Sequence, residues 1–393
     1  MRFRIVTLIY SLCVLAAFII PVRLAAQKKQ DDSVIYGDEA KLIEFDAPGA
    51  ATVASAACGS ACGTIPLANN DLGVVVGYYT DAHVVPHGFL RAPNGDVVSF
   101  EAPGAGLGHG LDQGTVAYSI NDLGVIAGQL QDSSYVYRGF LRYADGSFTT
   151  FEAPGAGTAS STACAPFCGT YALDINLGGA TAGYYVDGEG VYHGFVRSSL
   201  GEITSFDPTG SVFTFVCEET CLNLEGATTG YYSDASGAIH GFVREPGGNI
   251  TTFDAPGAVG FTGGASINLE GTITGYFLDS SGAAQGFVRT RGGDFTTFDV
   301  PSDMGAVETA AFSINLFRAV TGEFLDTSNV MHGFSRSACG TFATFDAPGA
   351  GTAAGQGTRP STNNLEGTVT GWWIDGNSLN HGFVWIPGDG LSR

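Results

Sequence analysis

Seven aspartates, Asp81, Asp132, Asp187, Asp234, Asp279, Asp326 and Asp375, each end a Gly-x-x-x-Asp phrase, and six residues after them stand His87, Arg138, His193, His240, Gln285, His332 and His381. Carboxylates near imidazoles are the raw material of metal sites and proton relays. Here every partner can donate a hydrogen bond, but Arg138 and Gln285 would break a ring of metal ligands. One base per repeat also keeps the five His apart. The pattern predicts seven structural clasps, each an Asp facing a donor across the mouth of a five-residue loop, with no metal and no cofactor. Ca²⁺ held by the aspartates is the alternative, although no Asp-x-Asp-x-Asp-Gly loop accompanies them.

Other reactive residues also recur or stand out. Arg91, Arg142, Arg197, Arg244, Arg289 and Arg336 follow Gly-Phe-x, each ten residues before an acid that follows a Phe; Trp385 takes that place in the last unit. An ion pair between neighbouring units is expected, a ligand-facing ring of cations being the alternative. Three Cys-x-x-x-Cys pairs, Cys58/Cys62, Cys164/Cys168 and Cys217/Cys221, fall in connections between units. They read as local disulfides, with zinc the alternative at an unusually wide spacing. A loop that short gains only about 2 kcal/mol from closure, which suits stiffening a loop. Cys339 is expected to stay unpaired or to bridge to another molecule. No Gly-x-Ser-x-Gly, phosphate loop or His-Glu-x-x-His is present, so catalytic residues are not identified. Departures from the repeat are Glu323, which stands where most units have Tyr or Trp, Trp372-Trp373 in place of Tyr-Tyr, and His83 and His109.

The elements behind these positions repeat seven times. Asn70, Asn121, Asn176, Asn223, Asn268, Asn315 and Asn364 open each unit; the Asp phrase, a Gly-Phe and a closing Phe-acid phrase follow. Four short apolar or Thr-rich runs per 45 to 55 residues, separated by glycine turns, are the mark of a propeller blade. The two aromatics of each unit, such as Phe89 and Phe100, lie 11 apart. A two-residue turn at Asn94-Gly95 would set them directly across a hairpin. The last Gly-Phe, at Phe383, has no closing Phe after it, while Phe45-Asp46-Ala47-Pro48-Gly49 closes nothing before it. The chain is therefore expected to be all-β, a seven-bladed β-propeller of four-stranded blades over 41–393. Residues 41–49 would complete the C-terminal blade, with Phe45 facing Phe383.

With 58 Gly, 44% hydrophobic residues and 14% charged ones, the composition favours strands over helices. Residues 1–26 read as a signal peptide: Arg2 and Arg4 precede the apolar run from Ile5 to Ile20, and Ala25-Ala26 offers a cleavage site. A membrane anchor is the alternative, with a run short for a span. Residues 27–40 then form a linker. Three of the 17 Lys and Arg lie in the leader, so the remainder sets 14 against 38 Asp and Glu. Such a field disfavours nucleic acid and anionic lipid. It serves solubility, or alternatively a cationic ligand.

Asn70-Asp71-Leu72-Gly73-Val74-Val75-Val76-Gly77, followed by His87-Gly88-Phe89-Leu90, resembles the HAF-repeat proteins secreted by bacteria, with units of Asn-x-x-Gly, a Val-rich strand and His-Ala-Phe-Leu. The resemblance covers residues 41–390. Gly replaces the usual middle Ala, which marks a divergent branch. It implies secretion and a propeller-like fold, and no reaction. The expected role is a non-catalytic binding or structural scaffold outside the cytoplasm, a monomer whose partner is a glycan or a protein; the alternative is a glycan hydrolase or lyase acting at the channel mouth. Tyr78-Tyr79, Tyr184-Tyr185 and Tyr231-Tyr232 could stack on sugars or pack between blades.

Overall fold

The computed structural model describes residues 40–388 apart from 56, 57, 59, 60, 109–112, 160, 217 and 218. The leader, the linker before residue 40, His109 and Cys217 lie outside the described residues. No helix among the described residues is long and apolar enough to cross a membrane.

The described chain is strands and turns, with a short 3-10 helix at Ser302–Met304. In the first unit β2 (Gly63–Asn69), β3 (Val75–Thr80), β4 (Pro86–Arg91) and β5 (Val97–Phe100) pair antiparallel in chain order. The same pairing order runs from β6 (Gly114–Ile120) to β9 (Phe148–Phe151), from β10 (Gly169–Ile175) to β13 (Ile203–Phe206), and from β14 (Ser211–Val216) to β17 (Ile250–Phe253). It continues from β18 (Thr262–Ile267) to β21 (Phe295–Phe298) and from β22 (Ala306–Ile314) to β25 (Phe342–Phe345). The last strands, β26 (Gly357–Asn363), β27 (Val369–Ile374) and β28 (Asn380–Ile386), leave an edge that β1 (Lys41–Phe45) fills antiparallel, from Lys41 opposite Ile386 to Phe45 opposite Gly382. Pairing that edge removes an open row of backbone donors and acceptors.

Register corrects one expectation. β4 and β5 pair last at Arg91 and Val97; beyond them Ala92 N–H donates to Asp96 O at 2.8 Å, and Gly95, at φ +97°, turns the chain. That is a three-residue loop with a left-handed glycine, not a two-residue turn. The slip puts Phe100 opposite Gly88 and Phe89 opposite Ser99. A Cβ at Gly88 would lie 2.8 Å from the Phe100 ring, so the Gly of each Gly-Phe makes room for the outer aromatic. For the same reason Phe45 lies opposite Gly382, and Glu44, not Phe45, lies opposite Phe383.

The aromatics thus bind one unit to the next. Phe45 meets Phe89 edge-on at 6.0 Å, and the contact recurs as Phe100–Phe140, Phe151–Phe195, Phe206–Phe242, Phe253–Phe287, Phe298–Phe334 and Phe345–Phe383. The second member of every pair is wholly buried. Each contact contributes about 0.5–1.5 kcal/mol beyond its buried area.

The repeated Asn side chains make a second set of links. Asn70 Nδ2 donates to Asn121 O at 3.1 Å, Asn121 to Asn176, Asn176 to Asn223, Asn223 to Asn268, Asn268 to Asn315, Asn315 to Asn364, and Asn364 back to Asn70 O at 3.1 Å. The chain of donors returns to its start. Each Asn Oδ1 meanwhile accepts from the turn that follows, as at Val74 N (2.9 Å).

Candidate functional site

Antiparallel order puts the Asn turns and the Arg91-type hairpins at one end of each unit, and the Asp turns and the connections at the other. At that second end each Asp first builds its own turn: Asp81 Oδ1 accepts from His83 N and Val85 N at 2.8 and 2.9 Å. Its other oxygen faces the donor six residues on. The distances from imidazole Nε2 are 3.6 Å for His87–Asp81, 3.4 Å for His193–Asp187, 3.5 Å for His240–Asp234, 3.7 Å for His332–Asp326 and 3.9 Å for His381–Asp375. Arg138 pairs with Asp132, and Gln285 Nε2 donates to Asp279 at 3.0 Å.

A second carboxylate, unforeseen from the sequence, completes each group. The acid after the closing Phe takes the opposite imidazole nitrogen, at 2.8 Å for His193–Asp207 and His240–Asp254 and 2.9 Å for His332–Asp346 and His381–Asp46. Glu101 does so for His87, and Glu152 for Arg138. Only the fifth unit differs: Gln285 reaches Asp279, and no bond joins it to Asp299. An aromatic face also covers several imidazoles, Tyr79 over His87 and Trp373 over His381 among them. An imidazole held at both nitrogens and along its face is placed for holding strands, not for moving a proton.

Electrostatics follow the contacts. The hydrogen bond to Glu101 raises the His87 pKa, and that to Asp46 raises His381, in both cases against burial. For His193 and His240 burial pulls downward, and the flanking carboxylates outweigh it. The Ser236 hydroxyl and backbone N–H groups hold Asp234 at about 2. At Asp81 burial pushes upward but the Val85 and His83 N–H groups lower it overall. Asp299 moves the other way, raised by burial and by the charge of Asp279.

The arginines do not make the expected ion pairs, because each stands at the hairpin end of its strand, as Arg91 opposite Val97, whereas the acid after the closing Phe lies at the opposite end. Each guanidinium instead lies over the closing Phe of the preceding unit, from 4.7 Å for Arg336 over Phe298 to 5.0 Å for Arg244 over Phe206. Arg91 lies over Phe45 at 4.9 Å, and Trp385 stacks on Phe345 at 4.4 Å. The guanidiniums are spent within the frame.

Two cysteine pairs are bonded, Cys58–Cys62 and Cys164–Cys168, with Cα atoms 5.3 and 5.0 Å apart. Cys221 is buried, while its sequence partner Cys217 is outside the described residues. Cys339 is exposed and free. Among the described residues no three His, Cys, Asp or Glu side chains converge as metal ligands.

The first Tyr of the doublets packs between units. Tyr137, Tyr171, Tyr184, Phe215, Tyr231, Phe261, Tyr276 and Phe312 form a continuous run of ring contacts, beginning with two stacks at 4.5 Å. Glu323 interrupts the pattern and pairs with Arg359 at 3.0 Å, whose guanidinium lies over Trp372 at 5.3 Å. Two of the departures noted in the sequence thus meet through a third residue. His83 sits 3.3 Å from Asp81 at the surface.

The strands nearest the Asn circle hold residues that sequence reasoning missed. Asp174 is buried; Ser119 Oγ donates to it at 2.7 Å and Leu222 N at 2.8 Å, and burial pushes its pKa up to about 6. Beside it a cavity of about 40 Å³ is lined by Leu67, Tyr118, Leu173, Glu219, Thr220 and Thr362. In β7 (Ile126–Gln131), Gln129 and Gln131 are buried, and neither Oε1 has a hydrogen-bond partner in the protein. Their signal was available: where β7 has Gln129, other units have Tyr78, Tyr184, Tyr231, Tyr276, Glu323 or Trp372.

No family model and no curated protein matches the chain. Among solved structures, a streptogramin B lyase is 14% identical with a TM-score of 0.51, covering 88% of this chain and 97% of that one. The BP39L lectin from Burkholderia pseudomallei is 12% identical with a TM-score of 0.51, covering 90% and 97%. The chain is all-β, and its fold is similar to those of β-propeller proteins.

Proposed function

We propose that this is an exported seven-bladed β-propeller of the HAF-repeat kind, closed by β1, that acts as a non-catalytic scaffold binding a glycan or a protein outside the cytoplasm. The β1–β28 pairing and the return of the Asn circle from Asn364 to Asn70 support closure. Clasps that knit the last three strands of each blade account for the seven Asp and their partners. Two disulfides fit an oxidising compartment.

The observation that carries the binding role is how the polar groups divide. The repeated His and Asn side chains are bonded inside the frame and the repeated guanidiniums lie over Phe rings, whereas non-repeating polar side chains stand elsewhere: Glu219 lines the cavity beside Asp174 with Tyr118 and Thr362, and Glu323 pairs with Arg359 over Trp372. A rigid frame with aromatic walls and a few placed polar groups is the make-up of a binding site. One of the solved structures similar in fold is a lectin.

The test is a glycan array together with a pulldown from secreted proteins, both using the mature chain. Saturable retention of a glycan or a defined protein is expected. Retention of neither, or cleavage of an arrayed glycan, overturns the reading.

A further inference from the structure

The fifth unit lacks the base that every other unit places between two carboxylates, and the place beside it stands open. In the second unit that base is a guanidinium: Arg138 is bonded to Asp132 on one side and to Glu152 on the other. Gln285 holds the same position in β20 (Ala284–Arg289), where its Nε2 donates to Asp279 at 3.0 Å and makes no bond to Asp299. Among the described residues no cation pairs with either carboxylate. Two like charges therefore flank a neutral amide. Partial burial, and then the charge of Asp279, raise the Asp299 pKa.

Between these groups lies an opening of about 430 Å³, a size within the usual range of ligand sites. The chain takes a different course there. Before the second unit, Gly106 N–H donates to Gln131 O at 2.9 Å and lays the connection over the end of β7. Before the sixth, the 3-10 turn Ser302–Met304, closed by Gly305 at φ +94°, leads directly into β22. The lining is of two kinds: Asp279, Gln285 and Asp299 are polar, whereas Ala283, Pro301 and Val307 are apolar.

We infer that this opening takes the guanidinium of an arginine side chain offered by a partner protein, bonded to Asp279 and Asp299 as Arg138 is to Asp132 and Glu152. The methylenes of that side chain would lie along Ala283, Pro301 and Val307. A planar fork of donors serves two carboxylates at once, which the point charge of an ammonium group does less well. Ca²⁺ calls for about six to eight oxygen ligands, and no three acidic, His or Cys side chains converge among the described residues. With 38 acids against 17 Lys and Arg, the chain also draws a cationic partner. The inference rests on the protein-binding form of the scaffold reading and gives it a place.

The experiment titrates the mature protein with Nα-acetyl-arginine amide and with its lysine counterpart, by calorimetry and by NMR of the Gln285 side-chain amide. The secreted-protein pulldown is then repeated with Gln285→His, which installs the residue that most other units carry, and with Asp299→Asn. Expected are a saturable shift of the Gln285 amide, several-fold weaker binding of the lysine compound, and an affinity at least tenfold lower in both variants. The retained protein should be displaced by the arginine compound and should not be held by Gln285→His. No saturable shift, binding undiminished in both variants, or equal binding of the lysine compound overturns the inference. A protein held equally by wild type and Gln285→His sits elsewhere; the inference then falls and the scaffold reading stands. Binding of the arginine compound with no secreted protein retained overturns the protein occupant together with the protein-binding reading.

Discussion

The two ends of each unit handle repetition differently. At one end seven Asn make the same bond without exception, each from Nδ2 to the next Asn carbonyl. At the other end seven aspartates meet five His, one Arg and one Gln, and their outer acids are Glu in two units and Asp in the rest. The Asn are buried, and each link depends on the position of its neighbour, so an altered member disturbs two junctions. The pairs of inner Asp and base are partly exposed and serve only their own unit, so any donor of suitable reach suffices; of the outer acids, Glu101 and Asp207 also accept from Thr115 and Thr214 of the next unit. Tolerance of variation tracks whether a bond is shared between units.

Deleting residues 41–49 tests this at its strongest point. It removes the β1 pairing, the Phe45–Phe89 and Arg91–Phe45 contacts, the His381–Asp46 pair and the Ala47 N–H bond to buried Thr64. At about 1 kcal/mol net per hydrogen bond the loss is on the order of 5 kcal/mol. Thermal denaturation should show a large fall for the whole domain. An unchanged midpoint would mean that β1 is an ornament and that closure contributes nothing.

Asn364→Ala comes next. It removes the Asn364 Nδ2 bond to the carbonyl of buried Asn70, which then keeps only its bond from Gly73 N, and leaves partly buried Thr368 N without its acceptor. A cost of about 2–3 kcal/mol is expected, against less than about 1 kcal/mol for His332→Gln at the partly exposed end. Equal costs from denaturant melts would erase the distinction between the two ends.

The pH dependence should come mainly from the Asp end, apart from buried Asp174, whose pKa raised to about 6 makes its contribution complete below the unfolded value and lost as pH rises through the folded one. His87, His193, His240 and His381 have raised pKa values, so their contribution is complete below the unfolded value near 6.5 and is lost as pH climbs through the folded values. Asp81, Asp132, Asp187, Asp234, Asp326 and Asp375 are lowered; their contribution is present above the unfolded value and lost as acid passes the folded ones. The best stability therefore falls between those limits, with a modest amplitude because solvent screens the pairs. Imidazole titrations by NMR that stay at the unperturbed value would remove the clasps as ion pairs.

How much the sequence revealed follows the same division. The all-β character and the place of β1 beside the last strand were legible because glycine turns and Asn recur at fixed spacing. The register was not: Asn94-Gly95 fits a two-residue turn and a three-residue loop equally well, and one residue of slip exchanges Phe89 for Gly88 opposite Phe100. The arginines were misassigned because an acid ten residues away is near in sequence only. Which carboxylate joins which base depends on how three strands stack. Gln129 and Gln131 were visible as substitutions, yet their unpaired oxygens required coordinates.

The fifth unit offers the smallest effect and the sharpest contrast. There Gln285 replaces the base, Asp299 is left outside the group, and an opening of about 430 Å³ lies between Asp279, Gln285, Asp299 and Ser302. Gln285→His should rebuild the arrangement of the other units, one nitrogen toward Asp279 and the other toward Asp299. The gain is small, since both partners are near solvent. It should be complete below the ordinary His pKa and vanish as pH rises through the new folded value, while the raised Asp299 pKa returns downward. A gain that persists undiminished at pH 8 would come from packing into the opening, and charge would then play no part in what the other five imidazoles do.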